Sequence, residues 1–394
     1  MMALQGVRVI DLSTVIAAPF STSMLADFGA EVIKIEIPGT GDSFRKMGPL
    51  NDGKSIRWPA MGRNKKCITL DLHFDEGKKI FLDLIARADV LVENFRTGTL
   101  DKWGLDIGTL RARNPKLIVA RITGFGQTGP RRFESGFGQT STAYSGVTYM
   151  MGFPDRVPVS PPWSLGDFTA GLNAAFGIMV ALYHRDVLGG KPQEIDVSLY
   201  ESMFRQQEMI LADYHVNGRI RERSPLIGGA AGPSGTFQTK DGKWVIVVTP
   251  NDKVFSYLCK AMERDDILAQ YGKMDSRFPA TDMLNQLVSD WIGSLEYKAL
   301  ARVCEAQQFP ISLIYNIEDI VNDLHYQARK SFIELPVEDF GSMKMPAVTP
   351  LLSETPGCVM WPGAPVGAFN EEVYKGMLGL DDAALSDLKA RNII

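Results

Sequence analysis

The residues best placed to do chemistry are Ser164-Leu165-Gly166-Asp167-Phe168-Thr169-Ala170-Gly171, which open the longest apolar helix the sequence encodes. Two roles for Asp167 are compatible. An aspartate ahead of a helix commonly caps it by accepting from free backbone amides. The same amides and the helix dipole favour the charged carboxylate, and an ionised carboxylate can attack an activated acyl group. Other chemistries leave no comparable trace. The turn Val15-Ile16-Ala17-Ala18-Pro19 lacks the Gly-x-Gly-x-x-Gly that lets a pyrophosphate approach the backbone, and Pro19 removes one amide donor. An NAD-dependent dehydrogenase is disfavoured on that ground, and Glu36 reads as a solvated strand end. The histidines (His73, His184, His215, His325) are scattered, and neither they nor the cysteines form a metal-binding spacing. Gly-x-Ser-x-Gly, the usual mark of an α/β-hydrolase nucleophile, is missing.

The elements that must position these residues alternate. The sequence predicts strands over 7–12, 31–36, 67–72, 90–95 and 117–123, with helices between them. In the helix predicted over 76–87, Ile80, Phe81, Leu84 and Ile85 are spaced for one buried face. Strand, helix, strand in repetition implies an α/β fold with an open, mostly parallel, Rossmann-like sheet. A Pro-rich stretch at 154–162 precedes the long helix, expected over 168–187. A further strand at 194–199 and a helix to about Val216 follow it. Thr239-Lys240-Asp241-Gly242 between two apolar runs is a hairpin signal. Two closing helices are expected to open at Asn370 and Asp381. The resulting layout is a large α/β domain over 1–218, a linker or glycine-rich loop over 219–234, a small α+β domain over 235–330, and a return to the large domain over 331–394.

Composition narrows the function. The 394 residues carry 42 Lys plus Arg against 46 Asp plus Glu, a formal net charge of −4. Such a balance offers no electrostatic footprint for nucleic acid or an anionic membrane. The N-terminus reads as a first strand rather than a signal peptide. The longest clean apolar run, at 174–183, falls short of the roughly 20 residues of a membrane span. Four well-separated cysteines suit a reducing cytosol. A cytoplasmic protein without nucleic-acid or membrane partners is the expectation.

Several motifs in order then carry a resemblance. They are Gly6-Val7-Arg8-Val9-Ile10-Asp11-Leu12-Ser13, Phe28-Gly29-Ala30-Glu31-Val32-Ile33-Lys34-Ile35-Glu36, Gly39-Thr40-Gly41-Asp42, Arg63-Asn64-Lys65-Lys66, Val92-Glu93-Asn94-Phe95, Gly124-Phe125-Gly126-Gln127-Thr128-Gly129-Pro130 and Gly166-Asp167. The chain resembles, essentially end to end, the family III CoA-transferases, the group that includes formyl-CoA and carnitine-type CoA-transferases. The resemblance implies a large α/β domain built from both chain ends, a small domain between them, and an interlocked homodimer. It implies that CoA moves from an acyl-CoA to a small carboxylic acid, with coenzyme A as substrate and no tightly bound cofactor or metal. Asp167 matches the family's nucleophilic aspartate. Val15, Ala17, Leu70, Asn94, Phe95, Lys102 and Trp103 match CoA contacts, and Phe137 falls among them near the acyl end. Gly228, Gly229 and Gly232 fall near the family's glycine-rich lid, although an interdomain linker explains them equally well.

Departures from the formyl-CoA transferase pattern are Ile37 in place of arginine and His73 in place of lysine, so that phosphate contacts there are either weaker or supplied by Arg45, Arg63 or Lys65. Phe137-Gly138 also departs from the Gly-Tyr-Asp common in transferases. Two rivals stand beside the transferase. An α-methylacyl-CoA racemase shares the fold, but needs a base where this chain has Gly136-Phe137-Gly138. A non-catalytic CoA-binding protein would have no use for Asp167.

Overall fold

Six runs rich in β-branched residues pair into one parallel sheet: β1 (Arg8–Leu12), β2 (Glu31–Glu36), β3 (Lys65–Thr69), β4 (Val90–Glu93), β5 (Ile118–Thr123) and β6 (Glu194–Ser198). Their order is β3-β2-β1-β4-β5-β6, every neighbouring pair parallel. The mixed α/β fold with a parallel sheet is therefore as the sequence implies. Both faces are buried because side chains alternate along each strand. Ile10, Ile33, Ile68 and Leu91 join the helix Asp75–Ile85 and the C-terminal residues Leu385, Leu388 and Ile393 in one core. Val9, Val32, Val90 and Ile118 face the other way, onto the first helix (Ala17–Asp27) and the long helix (Leu165–Asp186).

The computed structural model describes residues 1–224 and 232–394. It divides into two units, one of Met1–Thr148, Ser160–Ile220 and Ala328–Ile394, the other of Tyr149–Val159 and Arg221–Gln327. In the second unit, β7 (Ser234–Gln238) and β8 (Trp244–Val248) form the expected antiparallel hairpin, extended by β9 (Ser312–Leu313). Its core holds Phe237, Val245, Phe255, Leu258, Ile292 and Leu300. A second hairpin, β10 (Phe332–Val337) with β11 (Gly341–Pro346), belongs to the first unit.

Local expectations shift where tertiary contacts outweigh pattern. The long helix runs 22 residues and is apolar enough, by length and composition, to cross a membrane. Its buried face nevertheless belongs to the sheet's core through Ala170, Ala174 and Ile178. At Gly171 a Cβ would lie 2.5 Å from the Ala17 carbonyl oxygen, so only glycine lets the two helices cross so closely. The helix expected to reach Val216 breaks into Leu199–Phe204 and Glu208–Asn217. The break sits where the Gln207 side chain donates to the Ser145 carbonyl at 2.9 Å. A helical segment does open at Asn370 and passes into a π-helical turn over Glu372–Met377. The Asn370 side chain ties it to β3, accepting from the Thr69 backbone N at 2.9 Å and donating to Thr69 Oγ1 at 2.8 Å.

The carboxyl ends of β1 and β2 are held by buried charges. Asp11 accepts from Lys65 Nζ at 2.9 Å and Thr22 Oγ1 at 2.6 Å, and lies 3.7 Å from Lys34 Nζ. Lys34 also lies 3.0 Å from Asp42, which in turn accepts from the backbone amides of Val15 and Phe44. Glu36 is buried rather than solvated, because Arg45 pairs both its oxygens at 2.8 and 2.7 Å. Burial alone would push the Asp11 carboxyl up. The two lysines and the hydroxyls of Ser13 and Thr22 instead carry it well below the usual carboxylate range. With its folded pKa depressed, Asp11 contributes stability that is present above about pH 4 and lost as pH falls further. Asp11→Ala leaves the buried Lys65 ammonium without its carboxylate, Lys34 keeping Asp42, and should destabilise the fold by roughly 3–5 kcal/mol. A lowered urea midpoint is the expected readout; an unchanged midpoint would show that the network is dispensable.

Candidate active site

In a parallel sheet of this order the chain reverses direction between β1 and β4, and ligands bind at the strands' carboxyl ends there. The loops leaving those two strands are tied together. Asn94 accepts from the Thr14 amide at 2.9 Å and donates to the Thr14 carbonyl at 2.8 Å. The next residue, Val15, has φ +71°, a backbone state that costs a β-branched residue of order 1–3 kcal/mol. Its amide bond to Asp42 at 3.1 Å helps hold it there. Strain of this kind at a switch point marks a functional loop, and no sequence pattern announces it. Ala17, just beyond, is buried at the start of the first helix.

Beside this loop an apolar cavity is lined by Leu70, Leu72, Phe95 and Trp103, with Ile37 and His73 at the positions that depart from the resembling family. Phe95 meets Trp103 edge-on at 5.1 Å, and the His73 ring meets Trp103 at 5.4 Å. Leu70 lies in this wall because β3 ends at Thr69, earlier than predicted. The strand also starts earlier, since Lys65 is consumed by Asp11 inside the core. Lys102 is exposed next to Trp103. The three basic residues expected to replace the missing cations are all committed elsewhere. Arg45 pairs with Glu36, Arg63 with Asp27 at 2.5 Å, and Lys65 with Asp11.

Asp167 does not cap the long helix. Ser164 occupies that position, so Asp167 falls within the first turn. Its carboxylate rests on the backbone of Gly138, where a Cβ would lie 1.9 Å from Oδ2. A Cβ at Gly166 would lie 2.9 Å from the Gly138 carbonyl oxygen, so two glycines make this seat. Thr142 Oγ1 donates to that carbonyl at 2.7 Å and fixes it. The expected amide donors are missing. Among the described residues, no hydrogen-bond donor is placed on the Asp167 carboxylate. Burial therefore wins and pushes its pKa up to about 6, opposed by the nearby Arg57 guanidinium. At pH 7 about nine-tenths of such a group is still ionised.

Phe137 adjoins this seat rather than the Leu70–Trp103 cavity. It precedes the short helix Gly138–Tyr144 and leaves 71% of its surface exposed. Gly228 and Gly229 lie outside the described residues. Gly232 packs against Thr281, donating its amide to Oγ1 at 3.3 Å. Arg57 carried no signal in the sequence. It precedes Trp58-Pro59 in a stretch without periodicity, and only the fold brings it near Asp167.

The family model described as "CoA-transferase family III" matches residues 4–370. The chain is 41% identical over 396 residues to the succinyl-CoA–L-malate CoA-transferase alpha subunit of Chloroflexus aurantiacus, covering 99% of this chain and 92% of that one. It is 38% identical to the succinyl-CoA–D-citramalate CoA-transferase of the same organism, covering 99% and 98%. A CAIB/BAIF family protein from Brucella suis superposes with TM-score 0.83 at 27% identity, over 95% of this chain and 99% of that one.

Two outcomes follow from the carboxylate's seat. Gly138→Ala should displace Asp167 and cut kcat about 100-fold while leaving the melting temperature nearly unchanged; full activity would show that the seat does not position it. If the Asp167 carboxylate is the reacting group, turnover should fall about tenfold per unit as pH drops below about 6, since protonation removes its charge. A kcat/KM profile flat down to pH 5 would contradict this.

Proposed function

The chain belongs to CoA-transferase family III and is an enzyme of that class; from that premise we propose that Asp167 is its nucleophile. The observation that carries the reading is a half-buried carboxylate with no hydrogen-bond donor among the described residues, seated against bare glycine backbone. A carboxylate stripped of donors keeps its electron pairs for attack. It adds to the donor thioester carbonyl and expels CoA thiolate, leaving an aspartyl–acyl mixed anhydride. The thiolate attacks the aspartyl carbonyl of the anhydride, releasing the donor acid and leaving Asp167 as a CoA thioester. The acceptor carboxylate repeats these steps in reverse. Each step exchanges one activated carboxyl for another, so the thioester's energy is not lost to water.

We place the pantetheine and adenine of CoA along Val15, Ala17, Leu70, Asn94, Phe95, Lys102 and Trp103. Support comes from the tied loops at the switch point and from the apolar wall that Leu70, Phe95 and Trp103 build there. Phe137, exposed beside Gly138, is assigned to the acyl end, and Gly228, Gly229 and Gly232 to a lid. As donor we propose succinyl-CoA and as acceptor a dicarboxylic acid of about malate size. Two relatives named for succinyl-CoA with malate or citramalate support that choice.

We further propose an interlocked homodimer in the cytoplasm. Leu172, Phe176, Val180 and Tyr183 lie on one face of the long helix and expose 51%, 70%, 48% and 57% of their surface. A contiguous apolar stripe of this kind marks a protein interface. The four cysteines are unpaired, as a reducing compartment requires.

Asp167→Ala and Asp167→Asn should each lower kcat by at least about 10,000-fold with the fold intact. Incubation of the native enzyme with succinyl-CoA and hydroxylamine should inactivate it and leave a hydroxamate at Asp167. Substantial transfer by either variant, or a native enzyme indifferent to hydroxylamine, would remove Asp167 from the mechanism.

A further inference from the structure

Within the same unit as Asp167, a cavity of about 470 Å³ is walled by Phe20, Met24, Ile56, Met61 and Phe168, the residue that follows Asp167. Phe20 and Phe168 meet edge-on at 4.9 Å. Two guanidinium groups reach this largely apolar space. Arg63 is spent on Asp27, with contacts at 3.0 and 2.5 Å. Arg57 is different. Its Cζ stacks 4.6 Å above the buried Phe44 ring, and among the described residues its guanidinium has no hydrogen-bond or ion-pair partner.

The half-buried guanidinium is not sealed from solvent, so its five donors, which no protein acceptor among the described residues holds, are open to an incoming acceptor. A carboxylate answers both its charge and its planar, two-pronged geometry. The stack on Phe44 fixes the plane in advance, so little rotamer freedom is lost when an anion arrives. A cavity of this size and lining takes a small organic acid, with methylene groups against Phe20 and Phe168 and one charged end at Arg57. We infer that Arg57 receives the second carboxylate of a dicarboxylic acid or dicarboxylic acyl group, and so selects such substrates over monocarboxylic ones. The inference rests on the transferase reading above and assigns the specificity of that site to one residue.

A second role for Arg57 must be separable from this one. Its charge also lowers the Asp167 pKa. Losing it therefore raises the acidic limb of the pH profile for every acid alike, whereas losing a carboxylate anchor penalises dicarboxylates alone.

Calorimetric titration of the full chain with succinate and with butyrate, in the presence of CoA, distinguishes the two. The native protein should bind succinate at least tenfold more tightly than butyrate. Arg57→Gln should abolish that preference by weakening succinate alone, and Arg57→Lys, which keeps the charge without the fork, should retain part of it. Melting curves of both variants report whether the fold survives, and the lysine variant carries the test if the glutamine variant does not fold. Equal binding of the two acids by the native protein, or a loss common to both acids in the variants, would overturn the assignment. Failure of the underlying reading shows separately, as the absence of a hydroxylamine-sensitive thioester in the native enzyme.

Discussion

The site depends on a carboxylate that the fold declines to solvate. Asp167 sits in the first turn of a core helix, pressed onto Gly138, with no donor among the described residues to satisfy it and with the Arg57 cation to restrain the cost of burial. Had the expected amides reached it, its pKa would fall and its electron pairs would be held in hydrogen bonds. The structure keeps the group ionised at neutral pH but basic for a carboxylate, the combination a nucleophile requires.

Around that charge the fold separates tasks. The β1–β4 switch point, braced by Asp11, Lys34, Asp42 and Lys65, holds the strained Val15 loop against Asn94. These charges are wholly consumed among themselves. None is left over for a ligand, and the cavity wall of Leu70, Phe95 and Trp103 is correspondingly apolar. Two exposed cations adjoin that wall in sequence, Arg96 after Phe95 and Lys102 before Trp103. At the Asp167 end the pattern is reversed. There, among the described residues, the Arg57 guanidinium has no ion-pair or hydrogen-bond partner and stands beside an apolar wall.

Much of this was legible in the chain. Alternating β-branched runs predicted the strands, with β2 matched residue for residue, because two-sided burial demands apolar residues in succession. The sequence also pointed to the family that the comparisons support. Its failures share a cause: long-range pairing is invisible to local pattern. Lys65 looked like a loop cation and proved to be a core residue of β3, while Glu36 looked solvated and is sealed by Arg45. Asp167 looked like a cap, because the helix start was placed three residues late. Arg57 and the strain at Val15 had no local signal whatever.

The central claim is that the Asp167 carboxylate takes part covalently, and isotope transfer tests it most directly. In the proposed sequence the regenerated carboxylate acquires one oxygen from the acceptor acid. After turnover with an acceptor labelled with heavy oxygen in its carboxylate, the peptide bearing Asp167 should carry the label when analysed by mass spectrometry. An Asp167 peptide of unaltered mass, recovered from enzyme that has converted labelled acceptor to its thioester, would contradict the account.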